Sequence, residues 1–301
     1  MRGQLIRTWG DVPYPEERVY NDYGEMTELH TFQGGTGWNR PTWPANPGSS
    51  NVTTWNYHEP SGVLLSKTDA AGHSVTNTYY PDGSISNRIW ARGIRTTFTY
   101  NSLGDLERLD YSDTTNSVLF TDYNRASQPR SITNIAGAHS LIYDYAGRLV
   151  SDHATSGLLS GLTVSNHFDP LRGRDLVVLL SGTNAVVTAS YGYDDYNRLN
   201  AVTSGVETVS YGYAPNSDRL QATSFKHNGT SVLTTTRAWE FDSRLQSIAN
   251  SVNNAPVSSH RYQYDAANRR TRVFLEDGSL WAYGYDSRDQ VTSARSMPCR
   301  W

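Results

Sequence analysis

The sequence predicts an all-β protein, an antiparallel meander of about twelve stacked β-hairpin repeats that forms a curved or spiralling shell segment. Three observations carry that prediction. A phrase built of an aromatic, an acid, two loose residues, a glycine or asparagine and then Arg-Leu recurs along the 301 residues, as in "YDYAGRL" at Tyr143 and "YDDYNRL" at Tyr193. Its copies are spaced as two strands and two turns require. The composition, with 20 Tyr, 8 Trp and 24 Gly, favours strands and turns over helices.

Aligned on the aromatic before the turn, the copies stand at Tyr20, Tyr57, Tyr80, Tyr100, Tyr123, Tyr143, Phe168, Tyr193, Tyr213, Phe241, Tyr264 and Tyr285; after a first interval of 37, the intervals run from 20 to 28. The next residue is Asp or Asn in nine copies, among them Asp144, Asp194 and Asp265. Four places after the aromatic stand Gly24, Gly104, Ser127, Gly147, Asn197, Asn268 and Asp289, and one place later in longer copies Gly62, Gly173 and Asp218. An Asx residue opening a type I turn and a residue that tolerates a left-handed backbone closing it are what such a hairpin needs. Hairpin tips are therefore expected at 144–147, 194–197 and 265–268. Arg148 with Leu149, and Arg198 with Leu199, begin the return strands.

A second aromatic two places earlier, as at Tyr191 or Tyr262, lies on the same strand face, because side chains alternate with period two. Between the main turns, "DAAG" at Asp69, "NIAG" at Asn134, "HNG" at His227 and "EDG" at Glu276 are loop tips on the other side of the meander. The organisation expected is a lead-in strand over 1–17, the repeat array over 18–295 with a Gly/Pro/Trp-rich loop inserted at 31–56, and a tail over 296–301.

The formal net charge of −3 offers no electrostatic footprint for nucleic acid. Cys299 is the single cysteine, without the spacing of a disulfide or zinc site. The run "LVVLL" at Leu176 to Leu180 is too short to insert in a membrane, and the first residues carry no apolar run of signal-peptide length. Eight histidines are scattered without HExxH spacing, no GxSxG elbow is present, and one acid per hairpin leaves a calcium ion under-coordinated. No catalytic residue, cofactor or metal is expected. Trp38 and Trp43, in the inserted loop, invite a carbohydrate contact by ring stacking, against the plainer reading that they fold back on the sheet.

The residues that define the repeat resemble the YD-repeat, or RHS-repeat, family, whose pattern is Y-x-Y-D-x-x-G-R-L, a spacer and a Gly. Tyr143, Asp144, Gly147, Arg148 and Leu149 match it closely. Tyr193, Asp194, Asn197, Arg198 and Leu199, and then Tyr264, Asp265 and Asn268, follow with Asn in the glycine place. The resemblance covers about residues 18 to 295. It implies a ribbon of hairpins spiralling into a hollow shell, which in bacterial members encloses a C-terminal toxin and in animal relatives forms cell-surface barrels. The implied partners are polypeptide, either further repeats or a cargo, and surface carbohydrate under the alternative reading. The parent protein is expected to be secreted or displayed at the cell surface. "FDPLRGRD" at Phe168 sits inside a repeat, and nothing like the family's core segment, rich in Asp-Pro and Asn-Pro, follows Tyr285; the chain is thus expected to be a partial member without that segment or a toxin.

Overall fold

A computed structural model describes residues 3–10, 15–286 and 289–298, so Cys299 lies outside the described residues. Among these there are 25 β-strands and no helix. That is one strand more than twelve hairpins supply, because a two-residue strand, β1 (Arg7–Thr8), precedes them. The chain divides into two compact units, Met1–Leu119 with Gly284–Ser293, and Phe120–Tyr283 with Ala294–Trp301.

In the first unit β1 is followed by β2 (Glu16–Tyr20), β3 (Met26–Gln33), β4 (Ser49–Tyr57), β5 (Leu64–Thr68), β6 (Ser74–Tyr79), β7 (Ile85–Ile89), β8 (Arg95–Tyr100) and β9 (Leu106–Tyr111). Each pairs antiparallel with the next, and β9 pairs with the start of β10 (Ser117–Tyr123). The second unit runs through β11 (Pro129–Asn134), β12 (Gly137–Tyr143), β13 (Leu149–Ala154), β14 (Leu162–Asp169), β15 (Gly173–Ser181), β16 (Asn184–Tyr193) and β17 (Leu199–Ser204). It continues with β18 (Glu207–Tyr213), β19 (Leu220–His227), β20 (Thr230–Trp239), β21 (Leu245–Val252), β22 (Ala255–Tyr264), β23 (Arg270–Leu275) and β24 (Leu280–Tyr285). Again each strand pairs antiparallel with its successor. The last strand, β25, is Val291–Met297. Among the described residues only Phe32, Trp38, Leu141, Ala154 and Val273 are buried hydrophobics, so most of the apolar surface is shielded only by neighbours along the array.

The turns that leave the even-numbered strands share one edge of each unit, and tips form at 144–147, 194–197 and 265–268 as expected. Each couples a tight turn to a β-bulge. Tyr143 pairs with Leu149 while Ile142 pairs with Ser151, which leaves Val150 unmatched; Tyr193 with Leu199 and Tyr264 with Arg270 repeat the shift. The closing residue of the turn takes a positive φ, 77° at Gly147, 62° at Asn197, 64° at Asn268 and 55° at Ser127.

Three expectations need correction. The aromatic in the repeat position is Tyr79 in place of Tyr80, and Trp239 in place of Phe241, since these pair with Ile85 and Leu245 across the bulge. Tyr80 and Glu240 instead occupy the acid's place: their N–H groups bond Ser84 O at 2.8 Å and Arg244 O at 2.8 Å. Phe241 stands on the tip, fully exposed. In the turn after Tyr213 the left-handed residue is Asn216, at φ 54°, and not Asp218, because a longer loop shifts the register. The inserted loop is also shorter than 31–56: β3 carries on to Gln33 and β4 begins at Ser49, where alternating residues resume the strand period.

A β-branched residue in a left-handed turn position costs about 1–3 kcal/mol. Gly147→Val should therefore destabilise the protein by that amount in urea melts, and Ala146→Val by much less. Equal losses would mean the turn is assigned wrongly.

Candidate functional site: the repeated turn and its cross-links

Asp144 holds its turn with one carboxylate oxygen and its arginine with the other. Oδ1 accepts from the N–H of Ala146 and of Arg148, both at 2.9 Å, and Oδ2 accepts from Arg148 Nε at 2.7 Å. Asp194 repeats the set on Tyr196, Arg198 and Arg198 Nε, and Asp265 on Ala267, Arg269 and Arg269 Nε. Where the repeat has asparagine, as at Asn101 and Asn124, the amide oxygen makes the same two backbone bonds. These bonds hold the Asp144, Asp194 and Asp265 carboxyls below the usual carboxylate range. The largest lowering cause is the Arg148 N–H at Asp144 and the Arg198 guanidinium at Asp194; at Asp265, desolvation pulls upward and is outweighed by Arg269.

The aromatic is tyrosine for a reason that the turn alone does not supply. Its hydroxyl donates to a carbonyl of the preceding hairpin, at the residue that closes the bulge: Tyr57 to Met26 O at 3.1 Å, Tyr79 to Leu64 O at 2.7 Å, Tyr193 to Arg174 O at 2.6 Å, Tyr213 to Leu199 O at 2.7 Å and Tyr264 to Leu245 O at 2.8 Å. Trp239 does the same with its indole N–H, to Leu220 O at 3.2 Å. A bulge disrupts the ladder locally, and the phenol supplies a donor there.

In the second unit a further link joins successive turns. Gln128 Nε2 donates to Gly147 O at 2.8 Å, and the Arg148 guanidinium lies 4.6 Å over the Phe168 ring. Arg172 donates to Tyr193 O at 3.1 Å, Arg198 to Ser217 O at 2.6 Å, Arg219 to Ser243 Oγ, and Arg244 to Asn268 Oδ1 at 3.1 Å. Arg198 and Arg244 also cover the next repeat's Tyr213 and Tyr264, at 4.4 and 5.3 Å. All six junctions between turns 124–127 and 265–268 are bridged, five by a hydrogen bond and one by the Arg148 guanidinium over a ring, each reaching the next turn or the strand end that leads into it. The expected Arg-Leu element is thus a cross-link as well as the start of a strand. Gln128, Arg172 and Arg219 are the functional residues that sequence reasoning missed, since only their spacing from the next turn marks them.

Trp38 and Trp43 come together, but not as an exposed platform. The Trp38 ring is buried at 6% exposure and its indole N–H donates to Gly34 O at 2.8 Å. It packs 5.6 Å from Phe32 and 5.1 Å from Trp43, which in turn meets Trp9 at 5.3 Å and lies under the Arg7 guanidinium at 4.7 Å. Such ring pairs contribute about 0.5–1.5 kcal/mol each beyond burial. Trp38 therefore serves as core for this loop and offers no free face to a sugar.

Five histidines sit beside a carboxylate, each on a different hairpin: His30 by Glu28 at 2.8 Å, His73 by Asp69 at 3.2 Å, His139 by Asp152 at 2.7 Å, His167 by Asp175 at 2.6 Å and His227 by Glu207 at 2.6 Å. His30 also has Ser50 Oγ 3.2 Å from its other ring nitrogen. Among the described residues no group of His, Cys, Asp and Glu is arranged to hold a metal ion.

Two outcomes follow from this geometry. Tyr213→Phe removes one hydroxyl and should cost about 0.5–1.5 kcal/mol in urea melts with the fold intact. Carboxyls depressed in the folded state stabilise above the unfolded value of about 3.9, and that stability is lost as pH falls through the folded value. Thermal stability should therefore drop below about pH 4, and the triple variant Asp144→Asn, Asp194→Asn, Asp265→Asn should show a flatter acid limb in scans from pH 6 to about pH 2.

Residues 264–296 match the family model for the RHS Repeat. No curated protein matches the chain. Its fold is similar to that of a mutant Tc holotoxin pore of Photorhabdus luminescens, at 11% identity and a TM-score of 0.54, over 94% of this chain and 18% of that one. TcdB2-TccC3 without its hypervariable C-terminal region is similar at 13% identity and a TM-score of 0.53, over 94% and 19%. This chain therefore spans less than a fifth of the length of either neighbour, and at these identities the likeness is one of fold. The family's repeat is thus matched over the last hairpins, and the same turn, aromatic and bulge recur in the hairpins before them, so the chain is similar to RHS-repeat, or YD-repeat, proteins.

Proposed function

We propose that this chain is a non-catalytic wall segment of a larger RHS-repeat protein, which is secreted or displayed at the cell surface and encloses another stretch of polypeptide. The observation that carries the reading is the equivalence of the units. Acid, left-handed residue, bulge and phenol recur at matching places, so their chemistry is answered within the array, the acid by the arginine of its own turn and the phenol by the hairpin before. Catalysis needs a base and a nucleophile set apart from such a scaffold. Similarity of fold to proteins described as a Tc holotoxin pore and as TcdB2-TccC3 supports a wall role within a larger assembly. The partner is further repeats or a cargo segment, and the carbohydrate alternative loses Trp38 as a contact.

Limited proteolysis of the parent protein tests this. Whatever the repeats enclose should resist added protease while the array is intact, and removing residues 193–212 together with the following hairpin should expose it. Equal cleavage in both proteins would refute the enclosing role. Hydrolase activity of this chain that disappears on Ser50→Ala or His30→Ala would refute the non-catalytic one, since those side chains lie in line with Glu28.

A further inference from the structure

In turns 21–25, 58–63, 80–84 and 101–105 of the first unit, the arginine or glutamine that cross-links successive turns of the second is replaced. The place of Arg148 is taken there by Glu25, Val63, Ser84 and Asp105. The equivalence rests on backbone bonds: His58 N donates to Val63 O at 2.9 Å and Tyr80 N to Ser84 O at 2.8 Å, as Asp144 N does to Arg148 O at 2.9 Å. Without an arginine at this place, crevices lie between the turns, and the side chain that reaches across is Tyr80, whose hydroxyl donates to Phe98 O at 3.0 Å. A crevice of about 390 Å³ lies between turns 58–62 and 80–83, walled by Val63, Leu65, Tyr79 and Pro81. A second, of about 400 Å³, lies between turns 80–83 and 101–104, walled by Asp82, Thr99 and Tyr100. Tyr80 and Pro81 line both, so the two crevices are neighbours on one edge, with the Tyr80 ring, edge-on to Tyr100 at 6.1 Å, as the wall they share.

Spacing, lining and charge each select an occupant. Successive turns on this edge are two strands apart, about 9–10 Å. A polyproline II helix presents the same face every three residues, about 9.3 Å along its axis. The walls are aromatic and prolyl, the lining that recognises such segments because their bound shape already exists in the free chain. The four turns 21–25, 58–63, 80–84 and 101–105 carry Asp22, Glu25, Glu59, Asp82 and Asp105 and no Lys or Arg. The Asp82 carboxyl is held below its usual range, first by the Ser84 hydroxyl, and so stays ionised.

We propose that this edge binds a proline-rich segment in the polyproline II conformation, with proline or another apolar residue at every third position and arginine or lysine at its flank. The inference goes beyond the wall role and stands apart from it, since peptide affinity and protease shielding are read by different measurements.

Calorimetric titration of the whole chain tests it with three probes: a synthetic peptide carrying proline at every third position and two flanking arginines, a glycine-serine peptide of equal length and charge, and a neutral oligosaccharide. Only the proline peptide should bind, in the micromolar range, and more weakly as salt rises. Val63→Arg with Ser84→Arg installs the donor that the second unit already tolerates at this place, and should weaken binding at least about tenfold. Circular dichroism and melting must show that this variant folds. Should it not, Tyr80→Ser, at a ring 40% exposed, removes the wall shared by both crevices and should give the same loss. Equal binding of the two peptides, preference for the oligosaccharide, or affinity untouched by a folded variant would overturn the proposal.

Discussion

The phenol that caps the preceding hairpin's bulge is the contact on which the array depends. A hairpin of this kind cannot stand alone, because its bulge disturbs the ladder and its rings have no second layer to cover them. The next hairpin answers both needs with one side chain, which lays an aromatic ring along the sheet and brings a hydroxyl to the carbonyl at the bulge. Phe168 can fill the ring's place without a hydroxyl, and there the Arg148 guanidinium takes up the ring face. Cohesion therefore runs between neighbours, as in other repeat proteins, and not inward to a common core.

Local rules were legible in the sequence. Asp or Asn opening the turn, and Gly, Asn, Ser or Asp closing it, reflect backbone conformation that any one copy reveals, and the structure has positive φ at Ser127, Gly147, Asn197, Asn268 and Asp289 as those residue types require. Register within a copy was less legible. Tyr80 beside Tyr79 and Phe241 beside Trp239 each offer two aromatics, and only the pairing across the bulge decides between them. Trp38 looked like a loop residue because its neighbours are Gly and Pro, yet burial is set by Phe32 and Trp43, which the chain brings back from outside the immediate stretch. The cross-links were hardest to read, since Arg198 meets Ser217 and Arg244 meets Asn268 across a whole repeat.

The two units also differ in how they manage charge at the turn edge. In the second, Asp144, Asp194, Glu240 and Asp265 each have an arginine four residues on, so that acids and arginines alternate along the edge. In the first, Asp82 is satisfied by a serine hydroxyl and backbone N–H, and Asp105 by the Asn101 amide, which leaves the edge acidic. One scaffold thus carries two electrostatic surfaces without altering a strand, because the position after the left-handed residue points along the edge and tolerates Arg, Val, Ser or Asp.

The hydrogen bonds that Gln128, Arg172, Arg198, Arg219 and Arg244 make have a direction: each donor belongs to the earlier hairpin and each acceptor to the later one. Contact of this head-to-tail kind uses two different surfaces, and nothing in it specifies a last member. A hairpin inserted whole brings one donor and one acceptor and leaves the chain of links unbroken, whereas a single inserted strand would reverse the edge on which every later turn falls. A gain or loss that keeps these links unbroken therefore comes in pairs of strands.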